Sequence, residues 1–389
     1  MNSIISISFA LLILMMQACT KKKVSPTDAY KGKAKHAAID ASVLPHAGLY
    51  DFNQGVSLEL QQKLNNKIAS LMEEHSIAGI SVAMLVPDRG FWHLDTGYVS
   101  KPNDRKVDEA SVFYWASVAK LVTSTVIYQL IEEQQLNEEA KLSEWFPDLE
   151  NANSISIKHL LTHTNGLYSF NSDSTFHASN DYYSPEQLLA IAKANKNLFP
   201  AGQYWAYTNT GYLLLALIAE KIENKTFQQI VADRVTTPLQ LKSCKVLTAQ
   251  EEPVNLAQAH KDGEVLAHDY SIPLGAGNIV SNSTDMLHFL HAVLTSSLLQ
   301  ETTLETMLND LYPMFDNGMY YGRGIMVYDF NEINKTDKTW IGHSGGTDDY
   351  KALLVYDTTS KAMIAISINQ NIPVEAFANS LFALLVENE

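Results

Sequence analysis

Segments typical of β-strands occur near both ends of this chain, and the long stretch between them is mainly helical. Near the start, 79–86 and 91–97 are rich in strand-forming residues, and a short link with an early proline and a late glycine joins them as a hairpin. Similar segments near the end occur at 324–330, 338–343, 350–356 and 362–368. Because strands bury their apolar faces by pairing and packing, this pattern predicts one sheet built from both termini.

Helices are predicted to flank this sheet. Apolar residues recur at helical spacing across 57–75, and an apolar helix is predicted at 374–386. We therefore expect an α/β protein of the α+β type, in which an antiparallel sheet is flanked by helices. A mostly helical subdomain is predicted to be inserted at roughly 121–302, with a groove between it and the sheet.

The first residues of the chain resemble a targeting signal. The apolar run 4–16 is too short to cross a bilayer comfortably, and Ala18 and Cys19 follow it directly. This order resembles the bacterial lipoprotein signal, which implies a signal peptide at 1–18 and a lipid attached to Cys19. An ordinary secretory signal with an incidental cysteine is the alternative.

The remainder is predicted to form a tether and one folded domain. Residues 19–50 have many lysines and few apolar side chains, which indicates a disordered segment suited to an anionic membrane surface. Residues 51–389 form the domain, expected to be a monomer anchored in the cell envelope through Cys19. The formal net charge of −15 argues against nucleic-acid binding, which needs a basic face. Cys244 has no second cysteine to pair with in the mature chain.

The first chemical signal is the pair Ser117-x-x-Lys120, at the boundary between an extended segment and a helix-like run. Residues three apart on a helix lie on one face, so the lysine amine comes beside the serine hydroxyl. A serine is a weak nucleophile until a base takes its proton, and an uncharged lysine among apolar neighbours can serve as that base. The pair alone is not specific, because two fixed residues recur by chance.

Two further clusters offer groups that such a reaction needs. Tyr207 and Asn209 precede a predicted helix. A phenol can accept and return a proton, and an amide offers both a donor and an acceptor. The segment 343–346 reads His-Ser-Gly-Gly, and its two glycines would let a substrate approach the backbone amides closely.

Competing sites fit the sequence less well. The segment 342–346 also matches the G-x-S-x-G nucleophile elbow, with Ser344 as the nucleophile. The elbow needs a helix, an acid and then a histidine after the serine, but His343 is the last histidine of the chain. His159 and His163 lack the intervening glutamate of a zinc-protease signature. We therefore expect neither a metal nor a cofactor.

Taken together, three ordered motifs resemble the signatures of serine β-lactamases and penicillin-recognising enzymes. The motifs are Ser117-x-x-Lys120, Tyr207-x-Asn209 and His343-Ser344-Gly345. The resemblance runs over about 58–385 and is strongest to class C β-lactamases, D-alanyl-D-alanine carboxypeptidases and related esterases. Flanking segments such as 157–167 and 277–281 are also similar to family landmarks. This resemblance implies a β-lactamase/transpeptidase-like fold.

The resemblance implies a role for each motif residue. Ser117 would attack a carbonyl and form an acyl-enzyme, assisted by Lys120. Tyr207 would pass the proton to the leaving group, with Lys120 and Asn209 holding its hydrogen bonds. Whether the lysine or the tyrosine is the acylation base stays open. The oxyanion would lie between the backbone amides of Ser117 and Gly346.

The resemblance also bears on the substrate. His343 is expected to be one of the catalytic residues. Class C β-lactamases usually carry a lysine at this position, whereas certain D,D-carboxypeptidases and esterases resemble this chain in having a histidine there. Ser344 and Gly345 are expected to contact the substrate, and Arg323 to be structural. We expect a serine hydrolase acting on a small-molecule or peptide acyl substrate, with D-alanyl peptides favoured. Alternatives are an esterase, a class C-type β-lactamase and a non-catalytic penicillin-binding sensor.

The lipid anchor is testable by cell fractionation. Cys19→Ala is expected to move the protein from the membrane fraction to the soluble fraction, because the acyl chains would have no attachment point. Immunoblots of both fractions measure the shift. The matched control is Cys244→Ala, which removes the other cysteine and is expected to stay with the membrane. Membrane association of Cys19→Ala equal to that of the natural protein would refute lipidation.

Overall fold

The structure is a computed structural model that covers most of the folded part of the chain. It describes residues 30–177, 182–248, 253, 255–261, 263–266 and 273–386. The predicted signal peptide, the lipidation site at Cys19 and residues 19–29 of the predicted tether lie outside the described residues. A search of the described ranges for a helix long and apolar enough to span a membrane finds none.

Antiparallel strands form the framework of the fold. In chain order they are β1 (Gly79–Val86), β2 (Gly90–Ser100), β3 (Arg105–Lys106), β4 (Phe113–Tyr114), β5 (Lys245–Val246), β6 (Ala259–Lys261), β7 (Glu264–Leu266), β8 (Ile279–Ser281), β9 (Tyr312–Pro313), β10 (Met319–Tyr321), β11 (Met326–Asp329), β12 (Thr339–Gly346), β13 (Lys351–Asp357) and β14 (Met363–Ile368). Among the described residues, nine strands pair in the order β3-β2-β1-β14-β13-β12-β11-β10-β9. Strands β4, β8 and β5 form a small second sheet, and β6 pairs with β7.

Helices cover the large sheet and form most of the insertion. They are α1 (Leu58–Glu74), α2 (Ala119–Glu132), α3 (Ile157–Leu161), α4 (Ser174–His177), α5 (Pro185–Ala194), α6 (Asn209–Glu223), α7 (Phe227–Val231), α8 (Ser283–Leu294), α9 (Glu301–Met307), α10 (Phe330–Asn334) and α11 (Val374–Val386). A π-helical turn, Ala232–Thr236, continues α7. The 3-10 turns are Ala41–Val43, Ala47–Leu49, Ala116–Val118, Leu142–Glu144 and Phe170–Ser172.

The two ends of the chain meet in the centre of the large sheet. Strand β1 pairs with β14 over six residue pairs, from Ile80 opposite Ile368 to Leu85 opposite Met363. All eight residues of β1 are buried, which requires cover on both faces of the sheet. The predicted sheet built from both termini is therefore confirmed.

Different helices cover the two faces of this sheet. On one face, Ser81 of β1 accepts a hydrogen bond from the backbone N–H of Ser283, at the start of α8. On the other face, Trp92 donates its indole N–H to Asn65 of α1. Helix α11 packs against both α1 and β14. The sheet thus lies between helical layers, as the predicted α+β architecture requires.

The insertion is less purely helical than the sequence predicts. Strands β5 and β8 lie within the predicted helical region; β8 pairs with β4, just before Ser117, and β5 pairs with the other edge of β8. Each has only two or three residues, too few for an alternating pattern to be visible in the sequence. The small sheet fixes the segment that leads into Ser117, since Trp115 N–H donates to the carbonyl of Ile279.

The prediction of a disordered tether is wrong for residues 30–50. The backbone N–H of Lys31 donates to the Gln203 carbonyl at 2.7 Å, and Lys35 forms an ion pair with Asp310 at 2.7 Å. Leu44 is 7% exposed and packs into the main core. This segment is ordered through backbone hydrogen bonds and an ion pair, which its low apolar content does not reveal.

Candidate active site

Ser117 lies on a turn that leads into helix α2. The turn Ala116–Val118 is a 3-10 helix, and α2 begins at Ala119, two residues after Ser117. Ala116 has a φ of 44°, in the left-handed region that non-glycine residues seldom adopt. Such strain persists only where the surrounding structure enforces it, and it often accompanies functional sites. The turn presents Ser117 at the N-terminal end of α2.

Lys120 is fully buried, and its amine lies against Ser117. The Nζ atom is 3.0 Å from Ser117 Oγ and donates to the Ala276 carbonyl at 2.6 Å. The aromatic rings of Tyr207 and Tyr212 lie 4.8 Å and 5.6 Å from Nζ. Burial penalises the charged form, so the pKa of Lys120 falls well below 10.5. Burial therefore favours the uncharged form of the amine that contacts the serine hydroxyl.

Tyr207 approaches the same hydroxyl from the segment that precedes α6. Its phenol is hydrogen-bonded to the Ser117 side chain. Burial raises the pKa of Tyr207 above 10, because the phenolate would lose its hydration. The structure therefore brings Ser117, Lys120 and Tyr207 together, although Tyr207 lies 87 residues beyond Lys120 in the sequence.

Asn209 does not make the contacts that the family resemblance implied. Its amide donates to Asn171 Oδ1 at 3.0 Å, and its backbone N–H donates to Ser169 Oγ at 2.9 Å. Its own Oδ1 is buried and has no hydrogen-bond partner among the described residues. These contacts do not include Tyr207, whose hydrogen bonds Asn209 was expected to hold with Lys120, and the lysine amine donates to the Ala276 carbonyl.

His343 lies in the interior behind this group. Its Nε2 is 3.2 Å from the Tyr321 hydroxyl, which donates to the Tyr212 hydroxyl at 3.1 Å. Burial and the nearby Lys120 lower the pKa of His343 to about 3, so the imidazole is neutral. The structure therefore places His343 close to Lys120, within a chain of buried hydroxyl groups.

The glycines of β12 pass directly beside the turn that carries Ser117. A Cβ atom on Gly345 would lie 2.3 Å from the Trp115 carbonyl oxygen and 2.8 Å from the Ser117 nitrogen. Only glycine fits at this approach. Ser344 differs from expectation, because its hydroxyl accepts a hydrogen bond from Tyr328 at 2.8 Å and is already occupied. Gly346 follows at the end of the strand, where the resemblance puts the second oxyanion donor.

Arg323 has a structural role, as the sequence predicts. It is 4% exposed, and its guanidinium lies 2.9 Å from Glu138 and 3.1 Å from Asp310. It also donates to the Thr306 carbonyl at 2.6 Å. These partners satisfy the charge, so Arg323 is not free to bind a substrate carboxylate. In the described ranges, no three His, Cys, Asp or Glu side chains converge as a metal site requires.

Several residues around Lys120 were not identified from the sequence. Ala276 contributes only a backbone carbonyl, which leaves no side-chain signal. Tyr212 and Tyr321 are two of 18 tyrosines, and nothing in their spacing distinguishes them. His163 lies in the family-like segment 157–167, where that likeness was the one available signal; its ring packs 4.3 Å from that of Tyr207.

This fold and this site define a serine hydrolase with a serine–lysine–tyrosine centre on a β-lactamase-type scaffold. The beta-lactamase family model matches residues 64–387. The chain therefore belongs to the beta-lactamase family.

Known relatives differ in their activities. A beta-lactamase of Providencia stuartii is 26% identical over 255 residues, which cover 64% of this chain and 64% of the relative. Penicillin-binding protein 4 of Amycolatopsis lactamdurans is 23% identical over 343 residues, covering 82% of this chain and 87% of the relative. The D-amino acid amidase of Ochrobactrum anthropi SV3, solved with D-phenylalanine, superposes with a TM-score of 0.76 at 21% identity, covering 84% of this chain and all of the amidase. The similar proteins thus include a beta-lactamase, a penicillin-binding protein and an amidase, and the amidase has the same fold.

The close approach of β12 to Ser117 gives a steric prediction. Gly345→Ala is expected to lower kcat/KM by about 100-fold, because the new methyl group displaces the backbone at Ser117, and displacements near 1 Å cost rates of that order. Steady-state hydrolysis of a nitrophenyl ester measures the loss. Gly48→Ala is the control, since its methyl would meet no atom within 4 Å. Equal losses in the two variants would contradict the steric explanation.

Proposed function

We propose that this protein is a cell-envelope hydrolase that forms an acyl-enzyme at Ser117 and acts on D-alanyl peptides or related amide and ester substrates. The observation that carries the proposal is the position of the Ser117 hydroxyl between the buried amine of Lys120 and the phenol of Tyr207. A hydroxyl flanked by one base and one proton carrier has what acylation and leaving-group departure require.

Lys120 is the better candidate for the base that activates Ser117. A neutral amine that donates to Ala276 keeps a lone pair, and Ser117 Oγ is at hydrogen-bonding distance. Tyr207 is less suited to begin the reaction as a base, because burial keeps its phenol protonated. In the proposed acylation, the Oγ–carbon bond forms while the serine proton moves to Lys120 Nζ.

The later steps use the same groups. Tyr207 gives its proton to the leaving amine or alcohol as the carbon–leaving-group bond breaks, and it regains a proton from Lys120. The amides of Ser117 and Gly346 are proposed to hold the oxyanion, and one such donor is typically worth about 2.7–4 kcal/mol in the transition state. Water then attacks the acyl-enzyme and releases Ser117 and the acid.

The charges around the site support recognition of the substrate through its acyl group. His343 is neutral and buried, and Arg323 is paired with two carboxylates. Neither offers a free cation to a carboxylate on the leaving-group side. Among the proposed substrates, D-alanyl amides and esters whose leaving groups carry no carboxylate fit this arrangement better than D-alanyl-D-alanine peptides, and the likeness to the D-amino acid amidase supports them. The envelope location rests on Cys19 and its predicted lipid.

A β-lactamase activity is the second candidate, supported by the Providencia stuartii relative. The neutral His343 argues against it as the main activity, because the carboxylate of a β-lactam would meet no free charge there. A penicillin-binding sensor of the same fold would be acylated without turnover. The substrate panel below separates these three functions.

Covalent labelling tests the nucleophile. A fluorophosphonate probe is expected to label the natural protein at Ser117, and Ser117→Ala is expected to lose both labelling and turnover. Ser344→Ala, the matched control, is expected to retain labelling because that hydroxyl is bonded to Tyr328. Turnover is measured with D-alanine p-nitroanilide, p-nitrophenyl acetate, a D-alanyl-D-alanine peptide and nitrocefin. Acylation with no turnover of any substrate would favour the sensor, and labelling of Ser117→Ala would refute the nucleophile.

The depressed pKa of Lys120 predicts the pH dependence of acylation. The neutral amine is present above its lowered pKa and is lost as the pH falls through that value, so kcat/KM is expected to rise with pH and level off well below pH 10.5. Lys120→Arg is expected to lose at least about 100-fold, since a guanidinium stays charged. The exposed Lys221→Arg on α6 is the control. Activity of Lys120→Arg close to that of the control would exclude Lys120 as the base.

A further inference from the structure

His163 contacts the chain on both sides of Tyr207. Its backbone carbonyl accepts the N–H of Ala206 at 3.0 Å, and its Nδ1 accepts the N–H of Thr208 at 3.2 Å. Its ring lies 4.3 Å from the ring of Tyr207, tilted by 38°. One residue therefore accepts the N–H groups of the residues before and after Tyr207 and also packs against its side chain.

The backbone of His163 is unusual in a way that this contact explains. Its φ is 58°, the left-handed conformation, which costs free energy for a residue with a side chain. The residue is 0% exposed and follows directly after α3. The left-handed conformation occurs where the His163 carbonyl and ring both meet the 206–208 segment. Strain retained at a buried position next to reacting groups is a reason to look for a functional role.

The hydrogen bond with Thr208 also defines the state of the ring. Because Nδ1 accepts a proton donor, the neutral ring carries its own proton on Nε2. That Nε2 has no hydrogen-bond partner within the part of the chain that the structure describes. Burial, Lys120 and His343 all lower the pKa of His163, which keeps Nδ1 free to accept. A ring with an unpaired buried N–H is poorly explained by packing alone, since a phenylalanine would pack without that cost.

We infer that His163 is a positioning residue that sets the orientation of Tyr207 by accepting the Thr208 N–H. This inference rests on the proposed function, in which Tyr207 carries the proton to the leaving group. Proton transfer requires the phenol within about 2.6–3.2 Å of its partners. A displacement near 1 Å can cost about 100-fold in rate even when substrate binding is unchanged. The bonds from His163 to the N–H groups of Ala206 and Thr208 limit such a displacement.

Two substitutions separate the hydrogen bond from the packing. His163→Phe keeps a ring against Tyr207 but removes the acceptor, and we expect kcat to fall by about 10- to 100-fold with little change in KM. His163→Asn restores an acceptor on the δ1 atom and tolerates the left-handed backbone, so it is expected to recover most of kcat. Steady-state kinetics with the best substrate of the panel measures both, and thermal unfolding checks that each variant is folded. An Asn variant as slow as the Phe variant would overturn the inference.

The control is a histidine in the same segment with a comparable bond elsewhere. His159 Nδ1 accepts the Ser156 N–H at 3.1 Å at the start of α3, so His159→Phe removes an equivalent bond away from Tyr207. It is expected to lower the unfolding temperature and leave kcat within about twofold, as for a structural site. A fall in kcat equal to that of His163→Phe would show that a general loss of stability explains both, and would overturn the inference.

Tyr207→Phe distinguishes failure of this inference from failure of the proposed function. If Tyr207→Phe turns over at the natural rate, the proton-carrier role of Tyr207 fails. If it is slow while His163→Phe is normal, only the positioning role fails. When both single variants are slow, the double variant is expected to be no slower than Tyr207→Phe, because His163 acts through the phenol. If the rate losses of the two single variants multiply in the double variant, His163 does not act through the Tyr207 phenol.

Discussion

The chemistry of this protein depends on the burial of one lysine amine. Lys120 is 0% exposed, and it donates to the Ala276 carbonyl and contacts the Ser117 hydroxyl. An ammonium group there would lose its hydration and gain in return only uncharged neighbours: the Ala276 carbonyl, the Ser117 hydroxyl and the rings of Tyr207 and Tyr212. Burial therefore favours the neutral amine and lowers the pKa of Lys120 well below its usual value. A lysine that is usually charged at the surface can act as a base here, because burial favours the form of its amine without the extra proton.

Burial of this amine is produced by parts of the chain far apart in sequence. Lys120 is on α2, and the rings beside it come from Tyr207 and from Tyr212 on α6. Strand β10 adds Tyr321, which links Tyr212 to His343 on β12. The sheet and the insertion each contribute side chains, so the amine is desolvated only where the two meet. This is why Ser117 lies at the junction between them.

The sheet and its flanking helices could be predicted from the sequence, whereas the contacts that enclose the active site could not. The bounds of β1 and α11 match the predicted segments, because continuous apolar runs and helical spacing are strong local signals. The segment 30–50 was misread, since its order depends on Asp310 and Gln203 elsewhere in the chain.

The motif residues Ser117, Lys120 and Tyr207 were recognisable by type and order. The Ala276 carbonyl was not, because a backbone acceptor has no sequence signature. The partner of Asn209 was misassigned for a similar reason: the family pattern names the residue but not the competing Asn171 amide.

The histidine at position 343 determines how much positive charge lies near Lys120. A lysine there would put a second amine near Lys120, and two nearby amines would compete to lose their charge. The neutral imidazole, bonded to Tyr321, adds no charge to the resting site. When Lys120 takes the serine proton, its new ammonium group can pair with the negative charge that develops on the substrate oxyanion. Stabilisation of that ion pair in a buried site favours the transition state over the bound substrate, as catalysis requires. The neutral imidazole itself offers no charge to a substrate carboxylate, unlike a lysine at the same position.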